Sequence, residues 1–266
     1  MSISHEYHLG KTISMVTIVT TILIDILMRN LSASLLLDVL GQQRFGVEYQ
    51  PLVDTVTGEI TAYEALARFY DRSGTTLRTD HVFDALHDSP LTLFQVEHQM
   101  KQLQIERAPS GTLFLNLDPD AYSVAEEAEA SHPLLELICQ RPNVVLEIIE
   151  NSDLSDAKQS ARMAEAFSQR QVQLALDDIG APHSMLSLPL MIQVDCLKFD
   201  RNWFARLDCP MYQAALVSLI RYARETGKQT VIEGVETMAH LEKARALGVD
   251  LVQGFLYRPL FITQQA

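Results

Sequence analysis

The chain has 266 residues, 47% of them hydrophobic, and a formal net charge of −13 at pH 7. Its length fits one large domain, near the roughly 250 residues of a (β/α)8 barrel, with enough apolar side chain for an extensive core. The acidic balance excludes the basic footprint that duplex nucleic acid requires, but leaves room for a small phosphate ligand held by metal and a few local cations.

Residues 1–31 form an extension distinct from the rest. Thr12–Met28 is an apolar run about as long as the shortest membrane spans, roughly 17 residues, with Asp25 inside it. A midplane aspartate costs about 2.5 to 3.5 kcal/mol on insertion. A helical extension, or a true start at Met28, is therefore expected ahead of an inner-membrane anchor formed by residues 12–28. The three cysteines, Cys139, Cys196 and Cys209, lie on no metal-ligand spacing and read as thiols of a reducing cytoplasm, the expected location.

Residues 32–266 read as one α/β domain. A short helix over Leu35–Leu40 closes at Gly41, and Phe45–Gln50 is the first strand. The segment Val53–Thr61, with Thr57-Gly58 in its middle, is a hairpin that returns into Ile60–Glu64, so the first two strands are expected to be antiparallel. Strands over 112–117, 143–149, 172–177, 194–199, 229–233 and 250–256 then alternate with helical stretches over 133–140, 154–170, 211–226 and 236–247, and Leu186–Ile192 is a short connection. Gly227 and Gly248 mark the ends of two of these helices. Such alternation predicts parallel sheet with crossover helices.

The strands end in a repeated way. Apolar runs stop at Glu64, Asn116, Glu147, Asp177-Asp178 and Glu233, one brings Lys198 to the same kind of place, and another ends at Gln253. In a barrel of parallel strands the carboxyl ends converge on one mouth. Carboxylates gathered there repel one another unless cations join them, and carboxylate and amide oxygens, with no Cys or His cluster, suit hard divalent ions. Two such ions can neutralise charge on a phosphoryl group and its leaving oxygen and supply a nucleophile at neutral pH. Lys198 among metals would have its pKa pushed down. Taken singly, Glu64 reads as a helix cap, Asn116 as a turn residue and Asp177-Asp178 as an N-cap; only the set points to a site. Trp203 and Phe204 read as packing residues, His183 as an ordinary loop histidine, and Glu126–Glu129 as a solvated helical face.

Tyr49-Gln50-Pro51-Leu52-Val53 and Glu64-Ala65-Leu66-Ala67-Arg68 resemble the opening signature of the EAL-domain family of cyclic di-GMP phosphodiesterases. The likeness continues through Asn116-Leu117, Glu147-Ile148-Ile149-Glu150, Asp177-Asp178-Ile179-Gly180, Lys198-Phe199-Asp200, Glu233-Gly234-Val235-Glu236-Thr237 and Gln253-Gly254, covering about residues 32–262. The resemblance implies a (β/α)8 TIM-type barrel with one antiparallel strand, hydrolysing cyclic di-GMP to linear pGpG with two Mg²⁺ or Mn²⁺ ions. By the same resemblance Glu64, Asn116, Glu147 and Asp177 are ligands of one metal, and Asp177 with Asp178 faces a second. Lys198, Glu233 and Asp178 carry the chemistry at the attacking water. Arg68, Gln50, Gln253 and Leu66 bind substrate, and Glu150 anchors the loop after Asp178. That loop departs from the family pattern: Ala181 and Pro182 replace residues that in active members are Thr and Gly, and Pro182 removes a backbone donor. A receptor that binds the dinucleotide without turnover, or a protein-interaction module, are the alternatives that this departure keeps open. The resemblance also implies a homodimer through the same loop, and a protein partner is a further expectation.

Overall fold

The computed structural model describes residues 31–125, 132–149, 154–182 and 184–266. The apolar run 12–28, the acidic stretch 126–129, Glu150 and His183 lie outside the described residues.

After a short helix, α1 (Ala33–Gly41), the chain forms a long hairpin of β1 (Phe45–Asp54) and β2 (Ile60–Tyr70). The two strands pair antiparallel from Phe45 against Phe69 to Val53 against Ile60. Both strands are longer than the sequence reading gave them, because the ladder continues past Glu64 along Ala65–Phe69 opposite Phe45–Tyr49. A two-residue strand, β3 (Thr76–Leu77), folds back on β2. Two helices follow, α2 (Thr79–His87) and α3 (Pro90–Glu106).

From there β4 (Thr112–Asn116), α4 (Pro119–Ser123), α5 (Pro133–Cys139), β5 (Val144–Ile149), α6 (Leu154–Gln169) and β6 (Gln173–Ile179) succeed one another. They lead to α7 (Leu188–Gln193), β7 (Cys196–Phe199), α8 (Asn202–Arg206), α9 (Pro210–Glu225), β8 (Gln229–Ile232), α10 (Met238–Leu247) and β9 (Leu251–Val252). Strands β2, β4, β5, β6, β7, β8 and β9 are parallel neighbours in that order, and β1 closes the ring by pairing antiparallel with both β2 and β9. The result is a closed eight-stranded barrel with one antiparallel strand, as the sequence led us to expect. A final strand, β10 (Ile262–Gln265), adds to the outside of β1.

The expected last strand over 250–256 is a correction. Only Leu251–Val252 pairs as strand, and Phe255–Leu260 is a 3₁₀ helix. Gly254 makes the break: its φ of +153° is glycine territory, and a Cβ there would lie 2.4 Å from the Val235 backbone.

The barrel interior is layered. Leu52, Ala62, Phe114, Val145, Ala175, Cys196, Val231 and Leu251, one from each barrel strand, form a buried apolar cluster. Side chains on a strand return to the same face every second residue. Two positions toward the carboxyl ends of the parallel strands, this face therefore carries Glu64, Asn116, Glu147, Asp177, Lys198, Glu233 and Gln253. On antiparallel β1 the equivalent step runs backward, to Gln50. The outer face of the barrel packs against the helices in a larger core that includes Leu146, Leu176, Leu197, Phe167 and Ile220. Among the described residues no helix is long and apolar enough to cross a membrane.

Phe114 is 1% exposed and is the bulkiest member of the apolar floor under the mouth. Phe114→Ala is expected to cost about 3 to 5 kcal/mol, the usual price of a large cavity in a packed core, read as a shift in the urea unfolding midpoint.

Candidate active site

The polar ring above that floor surrounds one ammonium group. Lys198 is fully buried, and its Nζ lies 2.9 Å from Glu233 Oε1, 3.1 Å from Asp177 Oδ1 and 3.4 Å from Glu64 Oε2, and also pairs with Glu147 Oε1. Asn116 Nδ2 donates to Glu64 Oε1 at 3.0 Å and to Glu147 Oε2 at 2.7 Å, which is possible because Asn116 and Glu147 are register partners on adjacent parallel strands. Gln253 Nε2 donates to Glu64 Oε2 at 2.7 Å and to Gln50 Oε1 at 3.2 Å. Eight strands thus deliver interlocked polar groups to one point.

Asp177 and Asp178 would point to opposite faces of a regular strand. They do not, because the β6–β7 register breaks between Leu176 and Ile179 and Asp178 adopts a left-handed φ of +58°. That backbone state costs a non-glycine residue energy, though Asp tolerates it better than most. The turn is held from beneath: Trp203 Nε1 donates to Ile179 O at 2.7 Å, and the indole lies against Gly180, where a Cβ would meet it at 2.4 Å. Ala181 N closes the turn onto Asp178 O at 2.9 Å. Trp203 is buried, in keeping with the packing role read from the sequence.

Oxygen atoms of Glu64, Glu147 and Asp177 lie within 4.8 Å of one another, and so do those of Asp177, Asp178 and Glu233. Two three-carboxylate groups therefore share Asp177. Glu147 Oε1 and Asp177 Oδ1 sit at ion-pair distance from Lys198 without hydrogen-bond alignment, and Gln253 Oε1 is likewise buried without a hydrogen bond. Buried oxygens left so are costly, and a hard cation is the partner that carboxylate and amide oxygens fit.

The electrostatics follow from this crowding. Burial and the neighbouring Glu64 charge push Glu147 well above the usual carboxylate range. Burial raises Asp177, and burial with the Asp177 charge beside it raises Asp178 to about 6. Burial raises Glu233 to about 8 against the opposing pull of Lys198. Glu64 is the exception: burial acts upward, but Lys198 and the amides of Gln253 and Asn116 outweigh it and hold the carboxyl below its ordinary value. Lys198 is shifted by four of the same acids. Burial alone would lower its pKa, but the charges of Asp177, Glu147, Glu233 and Glu64 raise it well above the usual lysine value. That direction belongs to the metal-free ring; the lowering read from the sequence concerned a lysine among bound cations.

Next to this ring lies a cavity of about 460 Å³, lined by Gln50, Glu64, Leu66, Asn116, Asp177, Asp178, Glu233 and Gln253 among others. Arg68 is not among its lining residues; its Nη2 donates to Glu48 Oε1 at 2.6 Å. Two polar features were missed in the sequence. Glu48 is one, although its spacing from Gln50 puts both on one face of β1. The other is a buried ion pair on α3 at the cavity wall, where Lys101 Nζ donates to Glu97 Oε2 at 2.5 Å; its i, i+4 spacing was the available signal. Asp118, just beyond β4, caps α4 by accepting from Asp120 N and Ala121 N and also pairs with His87.

Comparison with known proteins agrees with this geometry. The chain is 27% identical over 227 residues to the probable cyclic di-GMP phosphodiesterase PdeB of Escherichia coli K12, a match that covers 83% of this chain and 43% of PdeB. The chain spans less than half the length of the first curated relatives it matches. Its fold is that of the FimX EAL domain from Pseudomonas aeruginosa, solved bound to c-di-GMP, with a TM-score of 0.69 at 19% identity over 88% of this chain and 96% of that one. It also matches Klebsiella pneumoniae BlrP1, solved as a manganese and cyclic di-GMP complex, with a TM-score of 0.65 at 22% identity over 84% of this chain and 56% of that one. A family profile described as EAL domain matches residues 32–259, and the chain belongs to that family.

Proposed function

We propose that this chain hydrolyses one phosphodiester bond of cyclic di-GMP, giving linear pGpG, with Mg²⁺ or Mn²⁺ in the ring of acids. The observation that carries the reading is the pair of carboxylate groups sharing Asp177, built around a buried lysine beside an open cavity. Glu64, Asn116, Glu147 and Asp177 would hold one ion, and Asp177 with Asp178 a second. Bound there, two hard cations supply charge neutralisation at the phosphoryl and leaving oxygens and a nucleophile at neutral pH.

The protein's own groups do the rest. Glu233, paired with Lys198 and grouped with Asp177 and Asp178, accepts the proton of the attacking water. Lys198 orients that water and offsets charge that gathers on the phosphoryl oxygens, from a position fixed by four carboxylates. Gln50, Leu66 and Gln253 line the cavity that takes the nucleotide, and Arg68 turns from Glu48 to a phosphate. The names of relatives, phosphodiesterases of cyclic di-GMP, support that substrate; the ring itself supports phosphodiester chemistry in general. Homodimer formation through the loop after Asp178, a protein partner and a cytoplasmic location belong to the same reading, and the anchoring role of Glu150 with them.

Chromatography of reactions containing cyclic di-GMP and Mn²⁺ tests the activity. The wild-type chain is expected to release pGpG, and Glu64→Ala to lower kcat/KM by about a thousandfold. Nucleotide bound without product would favour the receptor reading, for which the Ala181-Pro182 loop is the specific observation, and neither binding nor product would leave an interaction module.

Crowding of the acids also sets a stability prediction. The folded pKa of Asp178, about 6, lies above its ordinary value of 3.8, so its charge costs nothing below the unfolded value, progressively more as pH rises between the two, and the full amount above the folded one. In chelator, Asp178→Asn should stabilise the protein by about 2 kcal/mol at pH 8, and the gain should vanish as pH falls toward 4. Asn also suits the left-handed backbone there. The same variant should lose most of the rise in Tm that Mn²⁺ gives the wild type; thermal unfolding at several pH values, with and without the ion, reads both effects.

A further inference from the structure

Arg68 and Glu64 lie on the same face of β2, four residues apart, yet Arg68 does not reach the cavity. Its Nη1 donates to Ala67 O at 2.8 Å and its Nη2 to Glu48 Oε1 at 2.6 Å. On the opposing strand Arg68 faces Gly46, and Glu48 stands opposite Leu66, so the carboxylate is the diagonal neighbour of the guanidinium. Diagonal neighbours across an antiparallel pair are within reach of long side chains. Gly46 leaves the directly opposed position without a side chain, and nothing else on that strand competes for Arg68. The same Glu48 oxygen also accepts from Gln50 Nε2 at 2.9 Å. Gln50 in turn accepts from Gln253, which donates to Glu64. One carboxylate oxygen therefore engages two of the groups assigned to the substrate and is tied through amides to a metal ligand.

We infer that Glu48 is an internal competitor for the substrate phosphate: it occupies Arg68 and Gln50 and thereby sets how tightly the chain takes a cyclic dinucleotide. A carboxylate and a phosphodiester oxygen present the same acceptor chemistry to a guanidinium. The Arg68–Glu48 pair is about four-fifths buried on both sides, so it is less screened than a surface pair. A phosphate that engages Arg68 must displace Glu48, and the displaced carboxylate stays beside it as a like charge. Both effects weaken binding of an anionic ligand, and neither changes the bond-breaking groups around Lys198. The role so assigned to Glu48 rests on the phosphodiesterase reading above.

Steady-state kinetics with cyclic di-GMP and Mn²⁺ on wild type, Glu48→Gln, Arg68→Ala and the double variant test it. Gln keeps the shape and the acceptor oxygen while removing the charge. Glu48→Gln is expected to lower KM by about threefold to tenfold, with the gain in KM rather than in kcat. In the Arg68→Ala background the same change should move KM by no more than about twofold, because the competition needs the guanidinium. An unchanged or raised KM in Glu48→Gln would mean that the carboxylate braces Arg68 for the phosphate, which overturns the inference. An equal gain without Arg68 would reduce it to a general charge effect and overturn it too. If the wild type releases no pGpG, the phosphodiesterase reading has failed, and calorimetric titration with cyclic di-GMP decides the competition separately: tighter binding by Glu48→Gln supports it, and no tightening, or no binding by any variant, overturns it.

Discussion

One buried ammonium holds this site together. Lys198 is fully enclosed, and four carboxylates from four other strands lie around it. Burying ions is expensive, and a buried ion pair gains stability only when geometry and additional hydrogen bonds are good. Here the balance is unequal, since one positive charge faces four acids and Asp178 beside them. Burial and mutual repulsion drive Glu147, Asp177, Asp178 and Glu233 upward in pKa, while Lys198 is held firmly protonated. A ring in that condition retains unspent affinity for cations, which is what a divalent metal site needs before metal arrives.

The barrel supplies this arrangement through simple periodicity. Each parallel strand places an apolar side chain in the floor and, two residues on, a polar one in the mouth, and antiparallel β1 does the same two residues back. The floor of Leu52, Ala62, Phe114, Val145, Ala175, Cys196, Val231 and Leu251 excludes water from below. That exclusion strengthens every interaction in the polar ring and raises the cost of leaving any member unpaired. The exception to regular geometry falls where two acids must share a mouth: the register break and left-handed backbone at Asp178, braced by Trp203. Strain of this kind persists only where surrounding packing enforces it.

Most of the site was legible in the sequence because it lies at strand ends, where an apolar run followed by a polar residue marks both position and direction. Glu64, Asn116, Glu147, Asp177, Lys198, Glu233 and Gln253 were all found in this way, and the structure brings them together. The hairpin was also legible, from Thr57-Gly58 between two apolar runs. Less legible was what depends on partners distant in sequence. The extension of β2 beyond Glu64 is dictated by its ladder with β1, and local pattern gives no sign of where it stops. The 3₁₀ turn after Val252 follows from the close approach of Gly254 to Val235, a contact that apolar content alone cannot foretell. Arg68 was read by resemblance as a phosphate contact, and its pairing with Glu48 across the hairpin was not foreseen. The rise of the Lys198 pKa in the metal-free ring was out of reach for a related reason: its sign depends on how many acids surround it, which only the assembled ring displays.

Thermal unfolding of Lys198→Met against wild type, in chelator and in Mn²⁺, tests most directly whether this lysine balances the acids. Breaking a buried ion pair from one side typically costs about 3 to 5 kcal/mol, so the variant should be destabilised by that order in chelator. Mn²⁺ should then restore a large part of the loss, because a divalent cation can take over the charge balance that the ammonium provided. A variant as stable as wild type in chelator, or one that gains nothing from Mn²⁺, would contradict the account.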